Sequence, residues 1–111
     1  MNEFQIQKAI IQHLELRGVE DMLYTAVPNQ GFRNIIEAVN LKRIGVKAGT
    51  SDLLFWHKGC SYALEVKAER GRPSEHQLKF LDKFRAAGGH GCVSNGLDRC
   101  LSVLETWGLI K

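Results

Sequence analysis

Residues 49–67 of the chain read Gly-Thr-Ser-Asp-Leu-Leu-Phe-Trp-His-Lys-Gly-Cys-Ser-Tyr-Ala-Leu-Glu-Val-Lys. Two apolar runs flank a turn at residues 58–60, a pattern that predicts two paired strands. Asp52 opens the first strand, and Glu65 and Lys67 lie two positions apart on the second. Because a strand alternates its faces, Glu65 and Lys67 point the same way, while the apolar residues around them face the core. The stretch therefore predicts a hairpin with two carboxylates and one ammonium on one face.

This group of side chains suits a divalent cation. Two converging carboxylates repel each other, and a hard cation that prefers oxygen ligands relieves that repulsion. The backbone carbonyl of Val66 could supply a further oxygen. Lys67 could orient or deprotonate an attacking water, or neutralise a phosphate. Asp52, Glu65 and Lys67 together are therefore candidates for metal-assisted phosphodiester hydrolysis, with Mg²⁺ or Mn²⁺ as the ion.

A simpler interpretation of the same residues stays open. Glu65 and Lys67 are equally compatible with an ordinary ion pair on an exposed strand. An Asp followed at this distance by Glu-x-Lys also occurs by chance in many proteins. These three residues alone do not separate a catalytic site from a surface ion pair.

Length and charge indicate the number of domains and the kind of partner. The 111 residues predict one domain over residues 1–111, and the formal net charge is +3. Residues 33–72 hold eight Lys or Arg against four Asp or Glu, so the basic excess surrounds the candidate site. The candidate phosphate contacts are Arg33, Lys42, Arg43, Lys47, Arg70 and Arg72. A solvated basic surface is the alternative to nucleic-acid binding.

Several other sites are not indicated. The three cysteines are widely spaced and form no zinc motif. No signal-peptide pattern and no apolar run of membrane-spanning length is present in the sequence, so we expect a cytoplasmic protein without a membrane partner. No motif for a small-molecule cofactor stands out.

The remaining elements follow from apolar spacing and breaker residues. The sequence predicts helices over 2–17, 34–44 and 74–87, strands over 22–27 and 90–94, and a last helix capped by Ser94 or Asn95. The resulting order α-β-(α)-β-β-α-β-α predicts an α/β sandwich in which helices cover a mixed central sheet. A loop at 45–49, rich in small residues, lets backbone approach a ligand closely before Asp52.

Two polar residues outside the hairpin have both a structural and a functional interpretation. Ser74 and Gln77 match a capping box, so Gln77 either caps its helix or turns its amide toward the carboxylates. Glu3 lies in the first turn of the first helix, where an acid interacts favourably with the helix dipole. From the residues alone, that dipole role is the simpler account of Glu3.

Four segments together closely resemble the virus-type replication-repair nuclease (VRR-NUC) domain of the PD-(D/E)XK superfamily. They are Pro28-Asn29, Gly45-Val46-Lys47-Ala48-Gly49-Thr50-Ser51-Asp52-Leu53, Glu65-Val66-Lys67 and Ser74-Glu75-His76-Gln77. The resemblance covers nearly the whole chain. The family usually has Gly-x-x-Asp where the superfamily name has Pro-Asp, and Gly49 to Asp52 fits that variant.

The resemblance implies a restriction-endonuclease-like three-layer sandwich with a mixed central sheet. It implies metal binding by Asp52 and Glu65, a catalytic role for Lys67, and places for Gln77 and Glu3 in the site. It further implies a stand-alone phage or bacterial nuclease acting as a homodimer on branched DNA such as a Holliday junction. The alternative is a nucleic-acid-binding or assembly module on a nuclease fold that does not cut.

Overall fold

One mixed sheet of four strands forms the centre of the molecule. The computed structural model describes residues 1–28 and 35–111. Asn29 and Arg33 lie outside these ranges. In chain order the elements are α1 (Glu3–Arg17), β1 (Met22–Ala26), α2 (Ile35–Arg43), β2 (Leu53–His57), β3 (Cys60–Lys67), α3 (Glu75–Ala86), β4 (His90–Asn95) and α4 (Leu97–Thr106).

The strands are ordered β1-β2-β3-β4 across the sheet. The first two pairings are antiparallel and the third, between β3 and β4, is parallel. The predicted hairpin is β2 and β3, with Leu53 opposite Leu64. Lys58 and Gly59 form its turn with φ of 50° and 80°, as a tight two-residue hairpin turn requires. A parallel pair needs a crossover, and α3 provides it.

Helices cover both faces of the sheet. Leu64 and Val66 point into a core that α1 and α4 close with apolar residues such as Ile10 and Leu104. The alternate residues of β3 point to the other face, where Leu81 of α3 packs close to Gly91 of β4. The predicted α/β sandwich with a mixed sheet and flanking helices is confirmed.

The helix starts test the predicted caps. Asn2 caps α1 in a reciprocal box with Gln5, and Ser74 caps α3 in the same way with Gln77. The predicted cap of α4 was wrong: Ser94 and Asn95 belong to β4, and Gly96 precedes the helix without a side-chain cap bond. The parallel pairing with β3 extends β4 through Asn95, so neither residue is free to cap the helix.

Helix α2 lies within the predicted span 34–44. It has no buried residue, and Ile35 and Ile36 are largely exposed. By contrast, Leu109 and Ile110 are buried, and Ile110 forms an isolated bridge with Gly18. Among the described residues, no helix is long and apolar enough to cross a membrane.

Candidate active site at the carboxyl end of the β3 strand

The hairpin register brings Asp52 next to the end of β3. Asp52 directly precedes β2, and one of its carboxylate oxygens, Oδ2, accepts a hydrogen bond of 2.9 Å from the backbone N–H of Val66. This bond fixes the Asp52 carboxylate beside Glu65, the residue before Val66. The sequence prediction that Asp52 and Glu65 come together therefore has a direct structural counterpart.

Glu65 and Lys67 are far more buried than residues of an exposed strand. Glu65 is 1% exposed and Lys67 is 9% exposed, because α3 covers the face of β3 to which they point. Ionised groups are costly to bury unless they are paired. The interpretation as an ordinary ion pair on an exposed strand is therefore wrong.

Gln77 performs both of the roles that the sequence left open. Its side-chain oxygen accepts from the backbone N–H of Ser74 at 2.8 Å, which completes the capping box. Its side-chain nitrogen donates to Glu65 Oε2 at 3.0 Å. One amide thus links the start of α3 to the buried carboxylate of β3.

Lys67 joins the site to the first helix. Its ammonium nitrogen lies 3.8 Å from Glu65 Oε2 and 3.9 Å from Glu3 Oε1. Glu3 is half-exposed and stands in the first turn of α1, so its position suits the helix dipole as well. The structure brings together all five predicted residues: Glu3, Asp52, Glu65, Lys67 and Gln77.

The two oxygens of Glu65 have different surroundings. Oε2 receives the Gln77 amide and lies near Lys67, whereas Oε1 is buried and has no hydrogen-bond partner among the described residues. Burial raises the pKa of Glu65 from 4.5 to about 9, and the neighbouring Asp52 carboxylate contributes to this rise. Lys67 lowers this pKa and Glu3 raises it further. The charged form of Glu65 thus lacks sufficient compensation from the protein.

A divalent cation fits this deficit. Within residues 1–28 and 35–111, no group of three or more His, Cys, Asp and Glu side chains is arranged to hold a metal. The oxygens that could hold a cation here are those of two carboxylates, Asp52 and Glu65, with the Val66 carbonyl as the predicted third. A small protein set completed by water and substrate oxygens is typical of Mg²⁺.

A close backbone contact fixes the loop before Asp52 against α3. Gly49 has a φ of +78°, and a Cβ at this position would overlap the backbone carbonyl of His76. The loop lies against the first turn of α3, where Gln77 is located, so Gly49 helps to hold Asp52 and Gln77 in register. Its approach to a ligand stays a prediction.

Five of the six predicted basic residues lie in the described parts of the chain, on segments before β2 and after β3. Lys42 and Arg43 end α2, Lys47 follows in the next loop, and Arg70 and Arg72 lie between β3 and α3; all five are exposed. Arg33 lies outside the described residues. An exposed cation is available to a phosphate, although exposure alone does not separate binding from solvation.

Sequence reasoning missed Asn95 as a support of the site. Its side-chain nitrogen donates to the carbonyls of Ala68 and Gly71, both at 2.8 Å, and so fixes the turn after Lys67. The residue stands opposite Lys67 in the parallel pair of β3 and β4. Its sequence signal was a polar residue at the end of a predicted strand, which was assigned to helix capping instead.

Comparisons with known proteins give a consistent result. A family model described as the VRR-NUC domain matches residues 1–96. A solved structure titled "VRR_NUC domain protein" is similar with a TM-score of 0.80 and 21% identity, over 96% of this chain and 88% of that one. Another, titled "VRR_NUC domain", has a TM-score of 0.65 and 22% identity, over 95% and 96%. Among curated proteins, none matches the chain.

Proposed function

The chain belongs to the VRR-NUC domain family of nucleases, and from this premise we propose that it is a divalent-metal-dependent DNA endonuclease selective for branched DNA. One observation carries the proposal: Glu65 Oε1 is buried without a hydrogen-bond partner in the described residues, next to the carboxylate of Asp52. A buried carboxylate with a second carboxylate beside it is stabilised by a cation and costly without one.

In this proposal Asp52, Glu65 and the carbonyl of Val66 hold Mg²⁺ or Mn²⁺. The bound cation supplies positive charge that polarises the phosphate and offsets both carboxylates. Val66 N–H and Gln77 orient the carboxylates by occupying Asp52 Oδ2 and Glu65 Oε2. This leaves Glu65 Oε1 available for the cation.

Lys67 acts on the reacting groups. Its ammonium is buried and held between Glu65 and Glu3 at ion-pair distance, so its position is defined before substrate binds. From there it orients the attacking water and neutralises charge that develops on the phosphate, which is the usual contribution of a preorganised cation. Glu3 positions the Lys67 side chain.

The proposal can be tested by measuring hydrolysis of labelled duplex, flap and four-way-junction DNAs. Each DNA is incubated in the presence of EDTA, Mg²⁺ or Mn²⁺. We expect cleavage that requires the metal and that Asp52→Ala, Glu65→Ala and Lys67→Ala each nearly abolish. Lys79→Ala is the matched control, because Lys79 is an exposed cation on α3 paired only with Glu75 among the described residues. Equal rates in EDTA and Mn²⁺ would refute metal dependence, and cutting of plain duplex at the junction rate would refute selectivity.

We also propose that the active form is a homodimer, because symmetric cleavage of a branched substrate needs two sites and two-fold assembly is the commonest kind. By sequence, Tyr24, Trp56 and the Leu109-Ile110 pair could each supply apolar interface. Leu109 and Ile110 are buried, and Tyr24 packs against Phe55. Trp56 remains: it is 40% exposed and faces Leu23, which is 64% exposed.

Light scattering at micromolar concentration tests the assembly. We expect a mass of twice 12.5 kDa, reduced toward 12.5 kDa by Trp56→Ser. Exposed Leu78→Ser on α3 is the matched control for loss of surface apolar area. A wild-type mass of 12.5 kDa would contradict the dimer.

A further inference from the structure

Helix α1 has a second face that the catalytic site does not use. Its core stripe is Ile6, Ile10 and Leu14. A different stripe, with helical spacing, lines a groove of about 820 Å³ between α1 and the end of edge strand β1. That stripe consists of Phe4, Gln7, Lys8, Ile11 and Gln12. The volume lies within the range of about 300–1,000 Å³ that is typical of ligand sites.

The groove opens directly onto the candidate active site. Asp52 and Glu3 are both in its lining, and Ala26 to Pro28 form the opposite wall. Phe4 follows Glu3 in the chain and is 75% exposed, although a large aromatic ring is normally buried. The groove therefore combines an exposed ring and apolar walls with the residues that approach the scissile phosphate.

We propose that this groove binds an unpaired nucleobase beside the scissile phosphate, stacked on Phe4. The inference rests on the proposed nuclease function and specifies the part of a branched substrate that is selected. Bases in duplex DNA are already stacked, so only an unpaired base can present its face to an aromatic ring. The amides of Gln7 and Gln12 supply donors and acceptors for the base edge, and Lys8 supplies a cation for the strand that carries it.

Binding is measured with flap duplexes in the Lys67→Ala background, so that the DNA stays intact in Mg²⁺. Each of the first unpaired positions carries a normal base, 2-aminopurine or an abasic sugar in turn. At one position we expect quenching of 2-aminopurine and an affinity that drops when the base is removed. Phe4→Ala should weaken binding of the normal flap roughly fivefold or more, the lower end of the effect of losing one stacked base.

The decisive measurement is whether the loss of affinity caused by Phe4→Ala depends on the presence of the unpaired base. This dependence is the coupling between the Phe4 ring and the base. For the abasic flap, Phe4→Ala should have no further effect, because the ring has lost its partner. Phe4→Trp should retain affinity and quenching, while Phe4→Leu should lose quenching. Leu16→Ala is the matched control, since Leu16 is 85% exposed on the same helix. Additive losses from Phe4→Ala and the abasic sugar would overturn the proposal.

Two further measurements, flap cleavage and light scattering, distinguish a failure of this inference from a failure of the proposed nuclease activity. If wild-type protein cleaves flaps in Mg²⁺ but shows no Phe4–base coupling, the groove assignment fails and the nuclease proposal stands. If coupling is present but no metal supports cleavage, the groove assignment stands and hydrolysis fails. A change in mass by light scattering on Phe4→Ala, without coupling, would assign the groove to contact between copies and overturn the proposal.

Discussion

The side-chain nitrogen of Gln77 donates to Glu65 Oε2 at 3.0 Å, and this bond links a helix start to a buried strand carboxylate. The oxygen of the same amide accepts from Ser74 N–H at 2.8 Å. Capping and orientation of the site are therefore two functions of one planar group. A substitution that removes one function and preserves the other can separate them.

Substitutions at Gln77 and Ser74 provide that separation. Ser74→Ala removes the hydroxyl that accepts from Gln77 N–H, so we expect a loss of about 1 kcal/mol of stability with turnover nearly intact. Gln77→Ala should cost a similar amount and also lower turnover well beyond the stability loss. Gln77→Glu keeps an acceptor for Ser74 but brings a third carboxylate to Glu65, so turnover should fall with little loss of capping. Thermal melts paired with single-turnover rates check all three, and equal turnover in Gln77→Ala and wild type would contradict a site role.

The raised pKa of Glu65 predicts an unusual pH dependence for the metal-free protein. The pKa of Glu65 is about 9 in the folded protein, against 4.5 for an ordinary glutamate, which is the value expected in the unfolded chain. Between these two pH values the folded protein therefore binds more protons than the unfolded chain. Stability in EDTA should therefore fall as pH rises from about 5 to 9. Glu65→Gln should flatten this slope, whereas Glu75→Gln, an exposed acid on α3, should not. Urea unfolding at several pH values measures it, and a stability that rises across the window would contradict the prediction.

Added Mg²⁺ or Mn²⁺ should reverse that trend. Cation binding requires deprotonated carboxylates, so the stabilisation from the metal should grow with pH. The melting temperature with and without metal gives this increment directly. In Asp52→Asn or Glu65→Gln the increment should nearly vanish, and an unchanged increment would assign the cation to another site.

Two glycines with positive φ offer a matched pair for the loop before Asp52. Gly45→Ala and Gly49→Ala share the conformational cost of about 1–2 kcal/mol, because φ is +97° and +78°. A Cβ at Gly45 meets open space, while one at Gly49 overlaps the His76 carbonyl. Gly49→Ala should therefore cost about 1–3 kcal/mol more and lower turnover by displacing Asp52 from Gln77. Equal effects of the two substitutions on unfolding would refute the close packing.

The basic residues predict a salt dependence of DNA binding. Removing Lys42, Arg43 and Lys47 together should reduce the slope of log affinity against log salt by roughly one for each lost phosphate contact. Arg70 and Arg72 form a second set, which follows Lys67 in the chain, whereas the first set precedes Asp52. The second set can be removed separately. Exposed Lys83, near the end of α3, is the control. An unchanged slope would identify these side chains as solvated.

The sequence indicated the polar group well, because its signal is local. The spacing of Asp52, Glu65 and Lys67 follows from hairpin register and strand alternation alone. It did not indicate how deeply Glu65 is buried, since that depends on α3 crossing over the same face. For the same reason the two roles of Gln77 looked like alternatives: a capping box is visible in four residues, but its contact with Glu65 is tertiary.

Other limits of the prediction have the same origin. The apolar residues of α2 indicated a helix, but spacing reports only which residues share a side, not whether anything covers that side. By sequence, the Leu109-Ile110 pair was equally compatible with an interface, the core or a frayed end. It is held in the core by the bridge to Gly18 and by Arg17, whose side chain donates to the carbonyl of Lys111. Contacts across more than ninety residues leave no local pattern.

Because Gln77 lies in the first turn of α3, the site is disturbed each time this turn opens. The terminal turns of a helix open more readily than its middle, and opening exposes their amide hydrogens to exchange with solvent. The N–H of Gln77 donates to the hydroxyl of Ser74. When the whole first turn of α3 opens, this hydrogen is freed and the Gln77 side chain is also displaced from Glu65. The hydrogen-exchange rate of the Gln77 backbone N–H therefore reports how often the Glu65 carboxylate loses its bond to Gln77. An inhibitor that stiffens the first turn of α3 could therefore be recognised by slowed exchange before any substrate is added.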